Sequence, residues 1–213
     1  KTRFLALTEG GARIAGPQGE EHFRADAVVL AMGGASWPRL GSDGAWTQAL
    51  AELPLAPFAP SNCGALIDWS ERMAARHGSA LKRVALSAQG ESARGDVVIT
   101  RTGLEGGPVY ALSPRLRDAL AAGREAWLTF DLRPDLAEAA LAAKLARRRK
   151  GDSLSNVLRK NAGLSAEAVA LLHETGKPPT EPAALAAAIE AARLRGAGVA
   201  GLERAISSAG GLR

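Results

Sequence analysis

Cysteine is almost missing from this chain of 213 residues: Cys63 stands alone. No internal disulfide can form, and the usage fits a reducing compartment such as the cytoplasm. Aromatic residues make up only 4 % of the chain, and they are not interleaved with its basic residues. That speaks against the stacking platforms of single-strand binders. No apolar run reaches the roughly 20 residues that cross a bilayer. The first residues lack the basic-then-apolar layout of a signal peptide. His22, His77 and His173 are too scattered for metal-ligand spacing. No Gly-x-Ser-x-Gly elbow offers a hydrolase nucleophile.

What is present describes an ordinary globular chain, 46 % hydrophobic and 23 % charged, with a net charge of +5. Its length suits one large domain or two small ones. The densest basic run, Arg147 to Lys150, closes an expected helix, where cations suit the helix dipole and solubility. The partners expected are therefore a small-molecule substrate, with no nucleic acid and no membrane. Cys63 has no second cysteine for exchange chemistry and reads as an inert buried thiol.

The most informative stretch runs from Asp26 to Trp46. An acidic residue precedes the apolar run Ala27–Met32, and Gly33 and Gly34 follow at once. Such a run reads as a buried strand that stops in a tight loop. Glycines there let a backbone approach a ligand closely, and open α/β sheets bind ligands beyond the carboxyl ends of their strands. Gly41-Ser42-Asp43-Gly44 places a hydroxyl and a carboxylate at a helix start, as a cap or near a ligand.

The rest of the chain divides into blocks. Phe4–Leu7 and Ala12–Ile14 flank a Gly-Gly turn, a hairpin signal, and His22–Arg24 adds a strand. Trp46–Glu52 reads as a helix. Pro54, Pro57 and Pro60 argue against regular structure. Ala65–Ile67, Lys82–Ala88, Asp96–Thr100 and Trp127–Leu132 read as strands. Thr102–Gly107 reads as a loop at a domain hinge, in which Glu105 is either a catalytic carboxylate or, by default, part of a flexible connection. A helix is expected near Ser113, started by Pro114. Pro134–Lys150, Ser153–Asn161, Ser165–His173 and Glu181–Leu194 read as capped helices. Arg204–Gly211 reads as a returning strand. Strands followed by helices indicate an α+β fold. Gly196, Gly198 and Gly201 spell G-x-G-x-x-G, but a helical pattern precedes them, so they read as a plain loop.

The chain also resembles a family of bacterial FAD-dependent oxidoreductases, the aminoacetone-oxidase-like group with its uncharacterised flavoprotein subgroup. The resemblance rests on Ala31, Met32, Gly33, Gly34, Ala35, Ser36, Trp37 and Pro38, then Gly41–Gly44 and Trp46. It continues through Ala59–Gly64, Asp68–Ser70, Leu81–Ser87, Thr100–Arg117, Asp131–Asp135 and Ala205–Gly211. Met32 departs from the usual Thr or Leu. The resemblance implies an edge portion of a Rossmann-like FAD domain over 1–60 and an inserted domain over 61–204. That insertion would be strand-rich over 61–132 and helical over 133–197, and 205–213 would return as a strand. It also implies FAD contact at Ala31, Met32, Gly33, Gly34, Ala35 and Ser36, with NAD(P)H as a possible second cofactor. On this reading the chain is a central portion without the family's N-terminal G-x-G-x-x-G unit and C-terminal flavin segment. It would shape a pocket for hydride or electron transfer to a small organic substrate, with no acid or base assigned. The other readings are a non-catalytic binding or interaction module and, from charge alone, a binder of nucleic acid or anionic lipid.

Overall fold

The structure, a computed structural model, describes residues 2–213. Backbone contacts divide the chain into two compact units. One holds Lys1–Ser61 and Gly201–Arg213, the other Asn62–Ala200.

The first unit opens with an antiparallel meander of β1 (Arg3–Thr8), β2 (Gly11–Gly16) and β3 (Gly19–Arg24). Both hairpins expected or half-expected from the glycine turns form, with Leu7 opposite Ala12 and Arg13 opposite His22. The segment read as a buried strand, Ala27–Met32, is not one. Among the described residues no strand pairs with it, and Val29 is 87 % exposed. β-branched residues favour a pleated, half-buried surface, and they do not make a strand without a neighbour to pair with. The helix expected over Trp46–Glu52 is a short 3-10 helix, Ala45–Leu50. The proline-rich stretch also departs from expectation: Leu55–Pro60 is strand β4.

The second unit carries a sheet built from β5 (Ala65–Leu66), β6 (Ala80–Ala88), β7 (Glu91–Thr100), β8 (Gly103–Glu105), β9 (Ala126–Asp131), β10 (Ala192–Gly196) and β11 (Gly198–Val199). Its order among the described residues is β10-β9-β6-β7-β8-β5-β11, antiparallel throughout. The two outermost strands, β10 and β11, are consecutive in the chain, with only Ala197 between them. A sheet whose edges are tied by one residue must curl into a barrel, which removes its edges. Gly103–Glu105, read as a loop, is an inner strand of this barrel, and Leu104 is fully buried. Gly103 marks a close strand approach, not flexibility, because a Cβ there would run into the Ala65 carbonyl.

Helix α1 (Gly107–Ala121) packs against β5 to β9 and β11 through Val109, Leu112, Leu116 and Ala119. It starts earlier than Ser113, because Pro108 occupies its first turn. Pro114 then lies inside the helix and has no N–H for the carbonyl of Tyr110. That carbonyl instead accepts bonds from the Ser113 hydroxyl at 2.9 Å and the Asn62 amide at 3.3 Å. Ser113 Oγ in turn accepts the backbone N–H of Cys63 at 3.1 Å.

Four further helices complete the unit: α2 (Glu138–Leu145), α3 (Leu154–Lys160), α4 (Ala166–Glu174) and α5 (Pro182–Glu190). Three expected caps form. Ser153 accepts from the Asn156 N–H, Ser165 from that of Ala168, and Glu181 from those of Ala183 and Ala184. Helix α2 is shorter than Pro134–Lys150. After Leu145 the chain turns, and Asp152 takes the Arg149 N–H at 3.0 Å. Helix α5 stops at Glu190, short of the expected Leu194. Ala192 and Leu194 alternate with exposed Arg193 and Arg195, and this period of two pairs with β9 as β10. One continuous core from Ala65 to Leu194 serves the barrel and helices together.

The chain ends with β12 (Ser208–Leu212), which pairs antiparallel with β4 in the first unit. The expected return strand thus begins at Ser208 and not at Arg204. Pro57 is tolerated because the ladder bulges between Ala209 and Gly211, opposite that residue. Together these elements make a mixed α+β fold with several sheets.

Candidate functional site

Within the first unit, a concavity of about 390 Å³ is bounded by segment 30–34, Trp46, Phe58 of β4, and Ser208 with Gly210–Leu212 of β12. The volume falls in the range of small-molecule sites. Of the six residues singled out by sequence, Ala31, Met32, Gly33 and Gly34 line it. Ala35 lies buried behind, its N–H donating to Ser208 Oγ at 2.9 Å, and Ser36 is half-buried; neither lines the space.

The paired glycines have different duties. Gly33 has φ +73, a left-handed conformation, and a Cβ built there would meet open space. Gly34 has an ordinary φ, but a Cβ there would sit 2.2 Å from Ser208 Oγ. The room denied to a Gly34 side chain therefore belongs to Ser208 and not to a ligand. Among the described residues, no partner satisfies the backbone N–H groups from Ala27 to Gly34, which lie outside any ladder.

One wall is aromatic. Trp46 and Phe58 meet edge to face, ring centres 5.9 Å apart and planes at 80°. The indole Nε1–H of Trp46 donates to the Gly33 carbonyl at 3.1 Å. That bond ties the loop to the aromatic wall at Gly33. The sequence ties Trp46, Ser208, Gly210 and Gly211 to the family resemblance, through Trp46 and the string Ala205–Gly211, but it does not single out Phe58. Phe58 carries no such signal, since it sits in the proline-rich stretch that reads as irregular.

The remaining candidates lie elsewhere. Asp43 Oδ1 accepts the Ala45 N–H at 3.0 Å, so it opens the 3-10 helix and does not face the concavity. Glu105 is held in β8 and receives the Tyr110 hydroxyl at 3.4 Å. Cys63 is fully buried, and burial pushes its thiol pKa up, away from a reactive thiolate. His22 pairs with Thr8. Among the described residues, no group of His, Cys, Asp and Glu has a metal-holding arrangement. No helix of theirs is long and apolar enough to cross a membrane. Gly196 ends β10 and Gly198 begins β11, so the G-x-G-x-x-G string spans two strands.

The family model of the HI0933-like protein barrel and H2TH domain matches residues 59–207. The chain belongs to this family. Its members are FAD-dependent oxidoreductase-like proteins. The family's barrel agrees with the tied sheet edges of β10 and β11, and the matched span contains the whole second unit. A search of curated proteins gave no match.

Proposed function

We propose that the concavity of the first unit receives part of an FAD molecule, and that this chain shapes the pocket of a flavin-dependent oxidoreductase for a small organic substrate. The observation that carries this reading is the run Ala31–Gly34. It offers unpaired amide donors and an open left-handed Gly33 beside an aromatic wall. Flavin cofactors are held through such backbone N–H groups around their oxygens and through apolar contact with their ring faces.

The donor set fits the cofactor. When bound, the flavin supplies the acceptor and donor of hydride or single electrons. The chain's own residues bind and orient. The amides of Ala31–Gly34 donate to anionic or carbonyl oxygens. Trp46 and Phe58 cover an apolar face and exclude water from it. Trp46 Nε1–H and Ser208 Oγ hold the loop on both sides, at Gly33 and Ala35. No titratable side chain lines the concavity. These residues therefore position the ligand and do not move a proton.

The test is visible flavin absorbance per mole of protein purified from cells expressing the full gene. Gly33→Val places a branched side chain in a left-handed site that faces the ligand. It is expected to remove most of the flavin while far-UV circular dichroism stays unchanged. Trp46→Leu, which keeps an apolar side chain but loses the N–H, is expected to lower occupancy less. Full occupancy in a folded Gly33→Val protein would overturn the proposal.

A further inference from the structure

A second concavity, of about 510 Å³, lies in the helical part of the second unit. It is lined by Lys144, Arg147, Arg149, Asp152, Lys160 and Asn161. The fold assembles it from both ends of a long stretch. Asn161 donates its side-chain N–H to the Lys144 carbonyl at 3.1 Å, tying the end of α3 to the end of α2. The basic run that reads as the tail of one helix is therefore joined by cations from another.

Lys144, Arg147, Arg148, Arg149, Lys150, Arg159 and Lys160 are all exposed. Among the described residues, none of them makes an ion pair. The only carboxylate in the lining is that of Asp152, and it is engaged by the Arg149 N–H, which pins the loop. Helix dipoles account for cations in the last turns of α2 and α3. They do not account for Arg148, Arg149 and Lys150, which lie beyond α2. Like charges gathered without counter-charges repel, and a bound polyanion relieves the repulsion.

We propose that this face docks the phosphodiester backbone of a nucleic acid, without reading its sequence. The lining has no apolar or aromatic side chain. Insertion into a lipid surface needs apolar side chains, and base recognition needs stacking rings or free amides. The one amide present, that of Asn161, already serves Lys144. Several point charges spread over an open face match a row of phosphates, which position a protein but carry no sequence information.

The test is fluorescence anisotropy of the 213-residue chain with short labelled single-stranded RNA and DNA. Both are expected to bind at low salt. A fourfold rise in salt is expected to weaken binding about fifty-fold, the loss for about four phosphate contacts on a single strand. The triple variant Arg147→Glu, Arg149→Glu, Lys160→Glu is expected to bind at least about tenfold more weakly. A charge-matched control, Arg101→Glu, Arg124→Glu, Lys177→Glu, is expected to stay within about twofold. If the triple variant loses its circular dichroism, Arg147→Gln, Arg149→Gln, Lys160→Gln is read in its place. No binding at low salt, binding of RNA without DNA or the reverse, or equal loss in the control would each overturn the proposal. Competition by phosphatidylserine vesicles as effective as that by unlabelled oligonucleotide would also overturn it.

Discussion

At the scale of single residues, Gly34 and Ser208 form a pair that the sequence keeps far apart. A Cβ on Gly34 would press on Ser208 Oγ at 2.2 Å but would lie 3.6 Å from Ser208 Cβ, an ordinary contact. Gly34→Ala is therefore expected to cost about 1–3 kcal/mol, the usual range for overpacking a filled site. Ser208→Ala removes the oxygen and with it the acceptor for the Ala35 N–H, at a cost of about 1 kcal/mol. The double variant is expected to be more stable than the sum of the two losses, because the clash is gone. Urea unfolding of all four proteins in a double-mutant cycle checks this. Additive costs would show that the glycine serves something other than Ser208. The sequence marks Gly33-Gly34 plainly as a place of close approach. It does not say which neighbour approaches, because Ser208 is 173 residues from Ala35. The Trp37 N–H bond to the Leu202 carbonyl and the pairing of β12 with β4 bring the C-terminal segment into the first unit beside them.

At the scale of elements, the legible features are the local ones. Ser153, Ser165 and Glu181 cap their helices because a cap depends on residues two or three positions away. The hairpin of β1 and β2 follows from its glycine turn. The misread elements are those decided across the fold. Segment 27–32 has strand composition and, among the described residues, no pairing partner. Ala192–Leu194 has helical composition and pairs with β9. Helix α1 shows how a local rule breaks when the fold compensates for it. Its interior Pro114 is tolerated because Ser113 and Asn62 take over the Tyr110 carbonyl. Ser113 is fully buried and also holds the Cys63 N–H. Ser113→Ala leaves that buried N–H without its acceptor, so it is expected to cost about 1–3 kcal/mol. Thermal unfolding followed by circular dichroism measures the loss, and an unchanged midpoint would mean that water replaces the hydroxyl.

At the scale of the whole molecule, the two units differ sharply in what they bury. The apolar core from Ala65 to Leu194 lies entirely in the second. In the first, the buried apolar residues are Ala35, Leu50 and Ala205, while Phe23, Val29, Leu40 and Ile206 are more than half exposed. Apolar burial is the main favourable term in folding, so the second unit is expected to be the more stable of the two. Limited proteolysis is expected to remove the residues before Asn62 and after Ala200 first, leaving a resistant core identifiable by mass. Equal digestion of both units would contradict this. The strand-then-helix order made the α+β class legible. Barrel closure was not, because it depends on β10 and β11 reaching opposite edges of one sheet.

The tie between β5 and β11 has a further consequence for how the two units depend on each other. Their pairing, with the Ala200 N–H donating to the Gly64 carbonyl at 2.8 Å, holds the two ends of the second unit side by side. For the first unit, a folded barrel is therefore equivalent to a short loop joining Ser61 to Gly201. An unfolded barrel is a loose loop of roughly 140 residues. Closing the longer loop costs about 3 kcal/mol more in chain entropy, taking a tight connection of about five residues as the alternative. Melting the barrel thus weakens the β4–β12 pairing by that amount with no change in any contact. The coupling is carried by connectivity alone.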